Sequence, residues 1–227
     1  MQKTIEVAER VLSANDKVAA RLKTLYREQG KYVINLMSSP GSGKTTLLES
    51  LGATGLSFCV IEGDLETNRD ADRLEQKGLL AKQITTGEAC HLEAKMVEGI
   101  LPSLMEDSRF QKSQFVFIEN VGNLVCPASY DLGAHANVVL LSVPEGDDKV
   151  LKYPSMFLCA DLVLVTKADL LSIFDFRVER VREDLESLRN GVELMLVSSK
   201  EASSIEAVKQ KFESLASTGY TSSHIYR

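Results

Sequence analysis

The sequence predicts an α/β protein with a mostly parallel sheet of about seven strands and helices on both faces. Three observations predict it. Short apolar runs alternate with amphipathic stretches along the chain, the pattern of buried parallel strands joined by crossover helices. One run, residues 32–37, leads straight into Ser38-Ser39-Pro40-Gly41-Ser42-Gly43-Lys44-Thr45-Thr46 and then into a helical opening. That strand, glycine-rich turn and helix are the setting a phosphate-binding loop needs. Later runs end in acidic residues or in a Lys-x-Asp group, at the strand ends where parallel sheets bind ligands.

Gly41 and Gly43 open backbone angles closed to other residues, so the N–H groups around Ser42, Lys44, Thr45 and Thr46 can converge on one anion. The helix N-terminus adds its partial positive charge. Lys44 is placed to reach the β- and γ-phosphates of a nucleotide, and the Thr45 hydroxyl to bind Mg²⁺. The strict motif has glycine where this chain has Ser38. The fold class is therefore that of a P-loop NTPase.

The 227 residues fit one domain, with neither a linker nor an internal repeat. A net charge of −6 without a concentrated basic stretch argues against a nucleic-acid partner. No apolar run is long enough to cross a bilayer, and residues 1–20 have no secretory pattern, which points to the cytoplasm. Four cysteines in such a chain suggest thiols or metal ligands rather than disulfides.

Residues 3–29 read as an amphipathic helix closed by Gly30, with a possible break at 13–16. Residues 57–61 form a second buried strand that ends in Glu62-Gly63-Asp64, and Asp64 is the carboxylate placed to support Mg²⁺ or to orient water. Residues 66–77 read as a charged helix whose Arg69 and Arg73 are surface charges rather than an arginine finger, and residues 81–85 as a short strand. Cys90 and His91 then precede an apolar helix that Pro102 is expected to end or bend. The adjacent Cys-His pair suits a shared metal, although a free Cys is also commonly a small core residue. Cys59 and Cys159 read as core.

Residues 114–118 are a strand followed by Glu119-Asn120-Val121-Gly122, the layout of a phosphate-sensing switch. In it Glu119 supports the Mg²⁺ shell and the Gly122 N–H approaches the γ-phosphate. Cys126 follows directly, so a thiolate there would feel the nucleotide state. Residues 136–143 and 161–165 are two more strands. The second ends in Thr166-Lys167-Ala168-Asp169, which matches the guanine signature Asn-Lys-x-Asp except that Thr replaces Asn and weakens its loop-bracing role. Asp169 would accept from guanine, and the Lys167 stem would pack on the base. Residues 176–188 read as a surface helix, 192–197 as the last strand, and 203–216 as the final helix. Ser199 and Lys200 lie in an element like the one that closes over guanine, and the tail from 218 to 227 reads as loose.

Together these motifs resemble the HypB family, GTPases that help deliver nickel to nickel–iron hydrogenase. The resemblance spans residues 5–212. It rests on residues 35–45, Glu62-Gly63-Asp64, Cys90-His91-Leu92, residues 118–128, residues 130–133, residues 145–149 and residues 151–154. The urease accessory GTPase UreG carries Cys-Pro-His, whereas this chain has Cys126-Pro127-Ala128 and keeps its histidine beside Cys90.

The resemblance implies a G domain of the SIMIBI class and a homodimer promoted by GTP. It also implies a Ni²⁺ or Zn²⁺ site at the dimer interface, built from Cys90, His91 and Cys126, and work with a HypA-type metallochaperone and the hydrogenase large subunit. Thiolate and imidazole suit both metals. The N-terminal stretch has no Cys-x-x-Cys-Gly-Cys motif or histidine-rich tract, which leaves only the G-domain metal site. The expected chemistry is Mg²⁺-dependent hydrolysis of GTP to GDP and phosphate. Lys44 neutralises developing charge, Thr45, Asp64 and Glu119 hold Mg²⁺, and Asp64 is the candidate to position water. The alternatives are a UreG-like nickel accessory GTPase, a P-loop kinase or ATPase acting on a small acceptor, and a metal-buffering protein whose nucleotide fold is a relic.

Overall fold

The computed structural model describes residues 2–219, leaving aside the side chains of 2–8, 10 and 219. The chain opens with α1 (Gln2–Glu28), β1 (Tyr32–Ser38), α2 (Lys44–Ala53), β2 (Phe58–Asp64), α3 (Arg69–Gln76) and β3 (Leu80–Thr85). It continues through α4 (Ala94–Met105), α5 (Ser108–Lys112), β4 (Phe115–Glu119) and β5 (Ala136–Ser142). The last elements are α6 (Lys149–Lys152), α7 (Pro154–Leu158), β6 (Leu162–Thr166), α8 (Val178–Leu188), β7 (Glu193–Val197) and α9 (Ala202–Gly219). The part of the expected loose tail beyond Gly219 lies outside the described residues; Thr218 and Gly219 belong to α9.

The strands form one seven-stranded sheet in the order β3-β2-β4-β1-β5-β6-β7, and every pairing is parallel. Alternate residues of each strand enter cores on opposite faces, as the two-residue strand period requires. Ile34 and Leu36 of β1, Phe115 and Phe117 of β4, and Val138 and Leu140 of β5 pack against α2 and α9. Val33, Val116 and Ile118 face α1, α4 and α5. Val139 and Leu141 face α7 and α8. Burial on both faces explains why the strands read as nearly continuous apolar runs.

The possible break in α1 does not occur. Asn15, a poor helix former, is buried there because its side chain is bonded at both ends. Its Nδ2 donates to the Asp131 carbonyl at 2.8 Å, and its Oδ1 accepts from the Ala94 N–H at 2.9 Å. The second bond caps α4 from another helix, because Glu93 supplies no side-chain cap. Pro102 lies inside α4, and the helix runs on to Met105.

The chain leaves central β1 toward β2 and β3 on one side, returns through β4, and crosses to β5 on the other. The C-terminal end of β1 is thus the topological switch point, where open α/β sheets bind ligands. The loop after β1 and the ends of β2, β4 and β6 all open onto this edge.

Candidate nucleotide and metal sites

The loop after β1 is built for an anion. Gly41 and Gly43 take left-handed angles, φ 73° and 96°, and Gly43 caps α2. Lys44 is only 8% exposed, with its Nζ donating to the Ser38 hydroxyl at 3.0 Å. The serine that replaces the usual glycine thus parks the lysine. Glu145, from the loop after β5, takes hydrogen bonds from the hydroxyls of Ser39 and of Ser42, the latter at 2.6 Å, while its other oxygen accepts from the Ser142 N–H. Residues 145–149 were legible only as part of the family resemblance; the structure shows Glu145 clamping the phosphate loop.

Thr45 donates its hydroxyl to Glu119 at 2.8 Å, so these two expected Mg²⁺ ligands are in contact. Glu119 stands in register with Glu62 on the neighbouring strand, and both side chains are buried. Oxygens of Glu62, Asp70 and Glu119 lie within 4.8 Å of one another. Asp64 lines the same cleft, but its carboxylate is turned to its own loop, accepting from the Leu65 and Thr67 N–H groups and the Thr67 hydroxyl. Burial alone would raise the Asp64 carboxyl, yet these bonds hold it below its usual value.

Burial pushes Glu62 up to about 8, helped by the nearby charges of Glu119 and Asp64. Burial also pushes Glu119 up to about 7 against the pull of Lys44 and the Thr45 bond. Each keeps one buried oxygen, Oε2, without a hydrogen-bond partner. Two orphaned carboxylate oxygens beside a phosphate loop fit a hard divalent cation such as Mg²⁺. Glu62 and Asp70 were missed in the sequence. The signal for Glu62 was a charge set directly after the apolar run of β2, two residues before Asp64. Arg73, read as a surface charge, lines the cleft and pairs with Asp70 and Glu49.

At the other end of the loop, Thr166 donates to the Ser42 carbonyl at 2.7 Å and Lys167 to the Gly41 carbonyl at 2.9 Å. Thr166 therefore keeps the bracing role that its replacement of asparagine was expected to weaken. Lys167 is the one non-glycine residue with positive φ among the described residues, which turns its stem along the loop. Asp169 is held by the Ser198 hydroxyl at 3.0 Å and by Lys200 Nζ at 2.6 Å; these contacts, Lys200 first, keep its carboxyl below the usual value. Ser198, rather than the exposed Ser199, makes the contact.

The expected metal residues also converge. Cys90 Sγ lies 3.0 Å from Cys126 Sγ and 3.8 Å from His91 Nδ1. The His91 ring stacks on Tyr130 with centroids 3.9 Å apart, which fixes its plane. Its Nε2 is buried without a hydrogen-bond partner, with Glu93 at 3.9 Å. Burial lowers the His91 pKa, which favours the neutral imidazole that a ligand must be. The bond with Cys90, followed by burial, raises Cys126. Two sulfurs and an imidazole are a donor set for Ni²⁺ or Zn²⁺.

Fold and geometry define a P-loop nucleotide-binding protein, with a soft-metal donor set of Cys90, His91 and Cys126 among its described residues. Residues 32–195 match the family model described as CobW/HypB/UreG, nucleotide-binding domain. The chain is 58% identical over 224 residues to a hydrogenase/urease maturation factor HypB from Helicobacter hepaticus, covering 98% of this chain and 93% of that one. Its structure resembles that of Helicobacter pylori HypB in complex with nickel, with TM-score 0.91, 56% identity, and 94% and 100% of the two chains covered. It also resembles the hydrogenase maturation factor HypB of Archaeoglobus fulgidus, with TM-score 0.80, 31% identity, and 90% and 99% covered. The chain belongs to the HypB family. Among the described residues, no helix is long and apolar enough to cross a membrane.

Proposed function

We propose that this chain is a cytoplasmic, Mg²⁺-dependent GTPase that delivers nickel during maturation of nickel–iron hydrogenase, with metal binding coupled to nucleotide state. One observation carries the reading. The segment that begins at Glu119, bonded to Thr45 of the phosphate loop, ends at Cys126, in contact with Cys90 of the metal site. Nickel is the cargo of this cycle; the related protein from Helicobacter pylori was crystallised with it.

Thr45, Glu119 and Glu62 are the residues that would hold Mg²⁺, with Asp64 and Asp70 around them. The ion would draw charge from the β- and γ-phosphate oxygens. Lys44 exchanges its bond to Ser38 for the phosphates and neutralises charge that develops on the γ-phosphoryl oxygens. The backbone N–H groups of residues 41–46 complete the cradle. Asp64 positions the attacking water once it turns from its own loop. Asp169 accepts from guanine, with Ser198 and Lys200 fixing its carboxylate. Cys90, His91 and Cys126 hold the metal, and a GTP-bound homodimer would bring two such sets together across its two-fold axis. A HypA-type metallochaperone and the hydrogenase large subunit are the proposed partners.

The names of relatives at 55–58% identity pair hydrogenase with urease, which favours urease as a second client. A kinase or ATPase reading is disfavoured by the Asp169 arrangement. The test is nickel binding and oligomeric state of the reduced protein with Mg²⁺ and either GDP or a non-hydrolysable GTP analogue. Dimerisation with the GTP analogue and a nucleotide-dependent nickel affinity, both tied to Cys126, are expected. Equal nickel binding in both states, or binding that survives loss of Cys90, His91 and Cys126, would overturn the reading. A preference for ATP over GTP would move the protein to the kinase or ATPase class.

A further inference from the structure

We propose that Asn120 and Asn123 link the nucleotide cleft to the metal site, acting as positioning residues that ligate neither nucleotide nor metal; the proposal rests on the nickel-GTPase reading above. Both asparagines lie on the segment between Glu119 and Cys126, and each is bonded on both sides.

Asn120 is 1% exposed. Its backbone N–H donates to the Leu36 carbonyl of β1 at 3.0 Å. Its Oδ1 accepts from the N–H of Leu92, the residue after His91, at 3.2 Å, and from the Val121 N–H at 3.0 Å. Its Nδ2 donates to Asn35, whose own amide donates to Asn137, so a row of three amides crosses β4, β1 and β5. A shift of the Glu119 strand end therefore carries Leu92, and with it His91.

Asn123 makes the second link. Its backbone N–H donates to the carbonyl of Ser38, the residue that holds Lys44, at 2.8 Å. Its side chain accepts from the Val125 N–H at 2.8 Å and donates to the Cys90 carbonyl at 3.4 Å. Between the two asparagines, Gly122 runs so close to Pro40 that a β-carbon there would lie 2.8 Å from proline backbone atoms. A γ-phosphate arriving between Pro40 and Gly122 must displace or tighten this segment. Asn120 then transmits the change to Leu92 and His91, and Asn123 to Cys90. Asn120 is buried and Asn123 half-buried, and polar side chains bonded on both sides in this way hold one geometry and lose it as a unit.

Coupling between two ligands is a measurable factor, typically fivefold or more, and is the same read from either ligand. Ni²⁺ dissociation constants of the full chain are measured by chelator competition in Mg²⁺–GDP and in Mg²⁺ with a non-hydrolysable GTP analogue. The reciprocal effect of Ni²⁺ on nucleotide affinity is measured alongside. For the wild type, both ratios depart from one by the same factor. In Asn123→Ala the ratios collapse toward one, while nickel affinity in the GDP state and nucleotide affinity without nickel change by less than about threefold, which is below the coupling range. Those two single-ligand affinities report folding. Asn123→Ser, whose hydroxyl can still accept from the Val125 N–H but cannot reach Cys90, gives the same collapse and decides the case if the alanine variant does not fold. Retained coupling in a folded variant overturns this inference alone. A wild-type ratio of one overturns it together with the nucleotide-coupled reading of function.

Discussion

The side chain of Leu92 fills the space that a β-carbon on Gly63 would need, with its Cγ 2.7 Å from that position. Gly63 sits between Glu62 and Asp64 at the end of β2, and Leu92 follows His91, so the contact sets the Cys90–His91 segment against the carboxylate strand. Gly63→Ala must push Leu92, which is fully buried, out of place. Overpacking of this kind costs about 1–3 kcal/mol. Thermal unfolding should show that loss, and both nucleotide and nickel affinity should fall. In the double variant Gly63→Ala/Leu92→Ala the steric term disappears, so its loss should be smaller than the sum of the single losses.

Thr166 and Asp169 divide the work of the base-side loop. The buried Thr166 hydroxyl braces the phosphate loop through the Ser42 carbonyl, whereas Asp169, the proposed guanine acceptor, is held by Ser198 and Lys200. Thr166→Val leaves that carbonyl without its donor, at a cost of about 1 kcal/mol or roughly fivefold in nucleotide affinity. GTP and ATP should suffer alike, so the preference between them is unchanged, and Thr166→Ser should behave as wild type. Asp169→Ala should instead abolish the preference for GTP. Competition binding with the two nucleotides separates the outcomes.

How legible these features were follows from where their partners lie in the chain. Gly41, Gly43, Lys44 and Thr45 act through local backbone geometry, so a contiguous motif reveals them. The five inner strands were legible because two-sided burial leaves an apolar run, whereas the edge strands β3 and β7 are partly exposed. Cys90 and Cys126 were assigned to one site by family resemblance, and the sheet order that lets their loops meet is not written in either segment. Glu62 and Asp70 went unassigned because their roles arise from register: Glu62 faces Glu119 only because β4 inserts between β2 and β1. Asn15 looked like a helix breaker because its partners, Asp131 and Ala94, are far along the chain.

The buried Glu62–Glu119 pair makes stability depend on the occupant of the cleft. Both carboxyls are raised in the metal-free protein, Glu62 to about 8 from 4.5, first by burial. A raised carboxyl is fully protonated in both states below its unfolded value. As pH rises from 4.5 toward 8, the unfolded chain loses the proton first, so folding stability falls across that window. Removing Mg²⁺ and nucleotide with chelator should therefore leave a protein that melts lower at pH 8 than at pH 5. Glu62→Gln, which cannot ionise, should melt above the wild type in chelator at pH 8 and lose that advantage near pH 5. In Mg²⁺–GTP the order should reverse, because the variant gives up an oxygen anion that the cation would use. Differential scanning calorimetry under the four conditions checks the sign, and an unchanged order with Mg²⁺–GTP would remove Glu62 from the cation shell.

His135 should give a pH response of opposite sign, away from both ligand sites. Its Nδ1 accepts the Val33 N–H at 3.0 Å, and its ring stacks on Tyr32 with centroids 4.9 Å apart. Protonation would set one N–H against another. Burial, with Lys23 and Arg27 nearby, pushes its pKa down to about 4 from 6.5. Between those values the unfolded chain binds a proton that the folded protein does not, so stability falls as pH drops from 6.5 to 4 and is restored above 6.5. Allowing for the partial exposure of the ring, the loss should be about 1–2 kcal/mol. The chain has only three histidines, so an NMR titration can follow each ring separately. His135 should titrate well below the ordinary histidine range, and the loss between pH 7 and pH 5 should appear in urea unfolding as the difference between wild type and a His135 variant, which cancels the opposite contribution of Glu62 and Glu119. In His135→Gln the side-chain oxygen can accept the Val33 N–H without titrating, so this part of the pH dependence should vanish. A His135 midpoint near 6.5 would show that the Val33 bond does not hold the ring neutral.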